Sequence, residues 1–199
     1  MILDRHVSNL VILITTMIEE QQIALKNGRQ ITLRPPQLTD VEFLLAFTNE
    51  ISREDTFITL SGEVLTREEE ERYLRTATRE IEMGNRIQLF AFDQNKLVAN
   101  VDIHRVTRFR KRCKHVGEVA ISILKDFRGV GLGTKLLQIL IDQARKVGFR
   151  LLILDAFSEN TPAFILYEKM GFIKAGEIPG AIWYKDRYIG QVHMYLPLK

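Results

Sequence analysis

A mixed α/β domain is predicted by three features of this sequence. Apolar residues recur with period two in its middle and closing parts, which marks strands, and with a period near 3.6 in the segments between them, which marks helices. Turn and cap residues punctuate each change of period. No repeat, low-complexity tract or composition break divides the 199 residues, a length that suits one domain with an added arm. The predicted organisation is an N-terminal arm over residues 1–20 and one domain over 21–199.

The elements follow in order. "QQIALKNGRQITLRPP" reads as two strands around Asn27-Gly28, two residues that tolerate φ > 0, with Pro35 and Pro36 ending the second. A helix follows through "DVEFLLAFTNEI" with Thr39 as its expected N-cap, and residues 52–65 lack a period and read as a loop. Thr66 and Glu69 form a capping box for a second helix that Gly84 ends at C′. Strands are expected at 87–93, 96–106 and 116–124, with a turn at Gln94-Asn95 and a basic hairpin tip between the last two. After "RGVGLG" a helix runs to Val147 and stops at Gly148; strand 151–157 and a short helix, 162–170, come next. "GFIKAGEI" and "IGQVHMYLPL" read as closing strands joined by a loop, "PGAIWYKDRY".

Composition excludes several classes. An apolar share of 46% supports a substantial core, and a net charge of +3 does not by itself call for a nucleic-acid partner. The single cysteine, Cys113, cannot form a disulfide framework and leaves no cysteine-built metal site; no metal is expected, and the location expected is cytoplasmic. "LVILITTMI" at 10–18 is too short to span a bilayer, which takes roughly 20 apolar residues. It reads as an amphipathic arm that packs on the domain or on a second subunit.

The glycine turn at 128–133 carries the chemistry. Gly129-x-Gly131-x-Gly133 is one residue short of a dinucleotide fingerprint and does not match a P-loop either. A strand-to-helix turn packed through glycines is the plain structural reading. Alternatively, consecutive amides at a helix start form an anion-binding concavity, and glycines let a bulky diphosphate reach them. Leu132, Leu136, Leu140 and Ala144 share one stripe of the following helix and predict a core-facing element behind that concavity.

"RGVGLGT" resembles the R/Q-x-x-G-x-G/A signature of the GNAT superfamily of acyl-CoA-dependent N-acyltransferases. Asn160, Ala163, Leu166, Tyr167, Gly171 and Phe172 take the places of a second family segment, N-x-x-A-x-x-[LF]-Y-x-x-x-G-F. "ITLRPPQLTDVEFLL" resembles the family's first strand and helix, so the likeness covers about residues 21–196, and the chain's ending resembles the branch that includes ribosomal-protein N-terminal acetyltransferases. The resemblance implies a central mixed, mostly antiparallel sheet flanked by helices, and acetyl-CoA as co-substrate. It places the coenzyme A pyrophosphate on Arg128, Gly129, Val130, Gly131, Leu132, Gly133 and Thr134, and the pantetheine arm along Ile121, Ser122 and Ile123, with Asn160, Ala163 and Tyr167 beside it. Asn160 could instead cap the helix that follows it.

Acyl transfer to an amine needs a neutral nucleophile, a polarised thioester and a proton for the departing thiolate. The resemblance makes Tyr167 the acid. Strand alternation puts Glu118 on one face with Ala120 and Ser122, which makes it the candidate base, acting through a water; a plain surface glutamate is the rival reading. Asp102 and His104 on the neighbouring strand are weaker candidates. The acceptor is expected to be a protein N-terminus or a small amine, attacking directly in a ternary complex. Its walls are expected from loops 52–65 and 179–190, with Trp183, Tyr184 and Tyr188 as lining and Asp186 as an amine anchor. Two other functions remain open on these residues: a non-catalytic acyl-CoA-binding module, and a nucleic-acid-binding protein that uses the basic tip at 105–115. A homodimer is compatible with the family.

Overall fold

A computed structural model of the chain describes residues 19–106 and 111–199. The proposed arm therefore falls almost wholly outside the described residues, as does the centre of the basic tip. The described chain forms one eight-stranded sheet in the order β1-β2-β3-β4-β5-β6-β8-β7. Its strands are β1 (Gln21–Ala24), β2 (Gln30–Arg34), β3 (Arg86–Asp93), β4 (Lys96–Arg105), β5 (Val116–Ile123), β6 (Leu151–Phe157), β7 (Ile173–Tyr184) and β8 (Arg187–Pro197). Four α-helices join them: α1 (Val41–Ser52), α2 (Arg67–Glu82), α3 (Leu132–Lys146) and α4 (Thr161–Lys169). Neighbouring strands are antiparallel except β5 and β6, which run parallel and are connected through α3. This is the mixed, mostly antiparallel sheet that the sequence predicts.

The two faces of the sheet have different coverings. Residues Ile87, Val101, Ile103 and Val119 are buried on the face covered by α3, whose own Leu132, Leu136, Leu140 and Ala144 are at or near zero exposure. On the other face Gln88 and Arg86 meet Tyr73 and Glu80 of α2. α3 thus closes the apolar layer, and the opposite layer carries polar groups under α2. β3 is buried along six of its eight residues because helices lie on both sides of it.

Three local expectations change. The first helix is not capped by Thr39. A 3-10 turn, Leu38–Asp40, precedes α1, and the buried Asp40 carboxylate accepts from the Gln37 amide at 2.7 Å while holding Arg34 in a two-point ion pair. A carboxylate that answers both an orphan amide and a guanidinium outcompetes a neighbouring hydroxyl. The first hairpin turns over five residues, with only Gly28 left-handed, at φ +82°. The segment 179–188 is not a loop: β7 continues to Tyr184, and Lys185 and Asp186, at φ +48° and +61°, make a two-residue turn into Arg187. Pro179 and Gly180 lie in a register shift between Ile178 and Ile182, so the extra residues bulge out without ending the strand.

Candidate active site

The site begins where one strand pairing fails. β5 and β6 are in register only at Val116↔Leu151, Gly117↔Leu152 and Glu118↔Ile153, after which they separate. β5 stays paired with β4 throughout. The Leu124 amide bonds the Val98 carbonyl, and the Val106 amide bonds that of Val116. Even-numbered residues of β5 therefore direct their backbone groups at β4, and Val119, Ile121 and Ile123 direct theirs into the gap. The result is a short exposed strand edge inside the molecule, able to bond an extended ligand.

A cleft of about 460 Å³ occupies this gap. It is lined by Ile121, Ser122 and Ile123 of β5, by Arg128, Gly129, Gly131, Gly133 and Thr134 at the start of α3, and by Asn160, Ala163 and Tyr167 of the α4 region. Eleven of the residues singled out in sequence thus meet around one cavity. Val130 and Leu132 do not line it: Leu132 is fully buried in the core, and the Val130 carbonyl accepts from the Lys26 amide at 3.2 Å. Any contact they make with a ligand would be through backbone.

The three glycines serve different ends. Gly129 and Gly131 have φ of +73° and +89°, where an L side chain is strained, and Gly131 is the N-cap of α3. Gly133 lies inside the helix, and a Cβ there would stand 2.9 Å from Leu166 Cδ2 and 3.3 Å from Ile123 Cδ1. The first two give the turn into α3 its left-handed backbone; the third lets α3 approach β5 and α4.

Arg128 is engaged within the protein. Its Nε donates to the Ile123 carbonyl at 2.8 Å and its guanidinium pairs with Glu54, whose other oxygen accepts from the Lys125 amide at 2.9 Å. Lys26, which the sequence reading missed, lies along Gly131, its Cγ 3.4 Å from where a Cβ would be, and lines the cleft. No sequence signal marks it, because it arrives from the first hairpin, about a hundred residues away.

Asn160 resolves as a cap, its Oδ1 accepting from the Ala163 amide at 3.3 Å at the start of α4. Tyr167 is 8% exposed, tilted against Phe172 with centroids 5.8 Å apart, and forms part of the cleft wall. Burial pushes its phenol up to about 12, so it is a neutral hydroxyl at any physiological pH.

A second cavity, about 470 Å³, lies beyond Thr56 and Ile58, which border both. Asp55, Thr59 and Ser61 form one wall, and Phe157, Trp183, Tyr184, Lys185 and Asp186 the other. Phe57, Phe157 and Tyr184 pack edge to face or tilted, with centroids 5.1 to 6.1 Å apart, and the Tyr184 hydroxyl donates to the Asp55 carbonyl. Trp183, Tyr184 and Asp186, expected in sequence as acceptor lining, border this second cavity. Tyr188 does not line the cavity: it is 73% exposed and packs its ring against that of Trp183, its partner across the hairpin.

Glu118 lines neither cavity. It stands at the last paired position before β5 and β6 part, with a half-exposed side chain, and faces His104 of β4. His104 Nε2 is 3.6 Å from Glu118 Oε2, and Nδ1 is 3.1 Å from Asp102 Oδ2. The two carboxylates raise the imidazole to about 9, with Asp102 the larger influence, and the imidazolium lowers Glu118. Two residues past Ile153, Asp155 pairs with His193 of β8. Arg105, from the basic tip, is stacked 4.6 Å over Phe149 and bonded to the Gly84 carbonyl, so it belongs to the fold. Cys113 lines neither cavity. Among the described residues no cluster of three or more His, Cys, Asp or Glu could hold a metal ion, and no helix is long and apolar enough to cross a membrane.

Residues 47–172 match the model of the acetyltransferase (GNAT) family. The chain belongs to that family. Within it, the chain is 31% identical over 85 residues to the L-amino acid N-acyltransferase MnaT of Escherichia coli, 43% of this chain and 49% of that one. It thus spans about half the length of that relative. It is 30% identical over 149 residues to the putative phosphinothricin acetyltransferase YwnH of Bacillus subtilis, covering 75% of this chain and 88% of that one. Among solved structures, the acetyltransferase of GNAT family from Streptococcus pneumoniae superposes with a TM-score of 0.76 at 32% identity, covering 85% of this chain and 99% of that one.

Proposed function

We propose that the chain is an acetyl-CoA-dependent N-acetyltransferase acting on the α-amino group of a small, amino-acid-like acceptor. The observation that carries this is the meeting of the two cavities at Thr56 and Ile58. One has an anion concavity and a free strand edge suited to a pyrophosphate followed by an extended pantetheine arm. The other offers groups of both signs: carboxylates of Asp55 and Asp186 for an ammonium, Lys185 for a carboxylate, and Trp183, Tyr184 and Phe157 for a side chain. That set matches a free amino acid better than a protein N-terminus, which lacks the α-carboxylate. One relative, the L-amino acid N-acyltransferase MnaT, supports this reading by its name.

Adjacent cavities favour direct attack. The bound ammonium first gives one proton to solvent, the neutral amine nitrogen then bonds the thioester carbonyl carbon, and an amide of the β5 edge faces the developing oxyanion. The C–S bond then breaks, the nitrogen's surplus proton passes through a water to Glu118, and Tyr167 protonates the thiolate. A phenol raised to about 12 is a weak acid against a free thiol near 8.5. Inside the same dry cleft the thiolate is also desolvated, which raises its own affinity for the proton. The single cysteine and the use of an intracellular thioester suit a cytoplasmic enzyme, and a dimer is compatible with the fold.

The test is thiol release from acetyl-CoA across free amino acids, their amides, peptide N-termini and polyamines. Turnover with amino acids, and weaker turnover with their amides, is the expected pattern. Preference for peptides moves the acceptor to protein N-termini. No turnover with any amine, while acetyl-CoA still raises the melting temperature, leaves a donor-binding module. Salt-sensitive RNA or DNA binding that acetyl-CoA does not affect would instead favour the basic tip as the functional surface.

A further inference from the structure

The polar face beneath α2 holds a row of alternating charges that the reaction outlined above does not use. Glu80 of α2 lies 3.1 Å from Arg86 Nε; Arg86 lies 3.8 Å from Asp102; Asp102 holds His104, and His104 faces Glu118. Glu80 and Asp102 are nearly inaccessible, whereas the side chains of His104 and Glu118 are 30% and 42% exposed. The row therefore runs from the protein interior to the point where β5 and β6 part. Buried charges in such a row hold one another in place, since removing one leaves its neighbour unpaired.

We propose that His104, anchored by Asp102, is a positioning residue that fixes the orientation and charge of the Glu118 carboxylate at the point where β5 and β6 part. This rests on the reading of Glu118 as the base. An imidazole with a carboxylate at each nitrogen needs a proton on both, and is then a cation. One Glu118 oxygen faces that cation across 3.6 Å, an ion-pair distance, and the other is turned away from it, open to a water or an amine. Direct cross-strand pairing of His104 with Glu118 keeps the two side chains on one face. Asp102 and Arg86 supply the rigid end, with Arg86 further held by the Tyr73 hydroxyl at 3.2 Å. Among the described residues, Asp155 and His193, on β6 and β8 beyond Ile153, also lie on this face and pair with each other, with Gln191 donating to Asp155, and Arg34 of β2 pairs with Asp40 at its far end. Arg105 lies over Phe149 on the opposite face.

A cation beside Glu118 keeps it ionised to lower pH, so it should set the acid limb of the pH profile. His104→Gln is expected to move the acid limb of kcat/KM upward by about one pH unit, in line with the loss of an opposite charge at close range. His104→Lys, which restores a cation, should bring the limb back. The KM for acetyl-CoA should stay unchanged in both, since neither residue lines the donor cleft. NMR of the wild-type ring should show both nitrogens protonated up to about pH 9, and Asp102→Asn should lower that titration; this readout needs no variant of His104. A His104 ring that titrates near 6.5 overturns the proposal. So does an unmoved limb in His104→Gln when Glu118→Gln is inactive, and that result leaves the base assignment standing. Full activity of Glu118→Gln with an unchanged limb removes the base assignment and the positioning role together.

Discussion

The cleft proposed for the donor and the cavity proposed for the acceptor share a wall yet are built in opposite ways. The donor cleft is made largely of backbone: a bared edge of β5, two left-handed glycines and the first turn of α3. The acceptor cavity is made of side chains from the α1–α2 loop, the end of β6 and the β7–β8 hairpin. Backbone groups offer the same donors whatever the sequence, so a donor common to a family can be held by them. A site built from side chains can be rewritten one residue at a time, which suits an acceptor that varies.

Four experiments break or sharpen that contrast. The largest effect belongs to Tyr167→Phe, where the wall between the halves is chemical. Loss of a positioned acid should lower kcat about 10²-fold with both KM values nearly unchanged; a kcat close to wild type would remove the acid from the donor side. Next, Gly131→Ala puts a side chain at φ +89°, about 1–2 kcal/mol of strain for an L residue, with its Cβ 3.4 Å from Lys26. Steady-state kinetics should show the KM for acetyl-CoA rising about tenfold while that for the acceptor stays put. The reverse pattern is expected for Lys185→Gln: a several-fold higher KM for a free amino acid, little change for its amide, and none for acetyl-CoA. If the donor KM moves as well, the two cavities are coupled more tightly than their shared wall suggests.

The smallest effect is a pH dependence of stability that comes from the polar face beneath α2, outside both cavities. His104 is raised from 6.5 to about 9 in the fold, so the stabilisation from its protonated form is complete below about 6.5 and is lost as pH rises through 9. Thermal melts across that window should show a falling midpoint in the wild type and a flatter profile in His104→Gln. Glu118, lowered by the same pair, acts at the other end: its share is present above about 4.5 and is lost on acidification.

The same contrast explains what could be read in advance. "RGVGLG" announces its conformation, because two left-handed positions demand glycine and the helix stripe behind it has a clear period. Gly129, Gly131, Asn160, Ala163 and Tyr167 come together around one cleft as the motifs suggest. Lys26 was not legible, since nothing local ties the first hairpin to residues 128–134. The β7–β8 hairpin was misread at Pro179-Gly180, where a bulge imitates a loop and the true turn uses Lys185-Asp186, residues with no strong turn signature.

Local sequence alone determined the order of elements and the glycine turn, because turn chemistry and hydrophobic period act within a few residues, and two motifs carried the resemblance to the family. The parting of β5 from β6 after Glu118, the Glu54 hold on Arg128 and the row from Glu80 to Glu118 were decided only in three dimensions. Each joins residues on different elements. Their energies depend on burial and on distances between charges, and neither quantity exists until the sheet has formed.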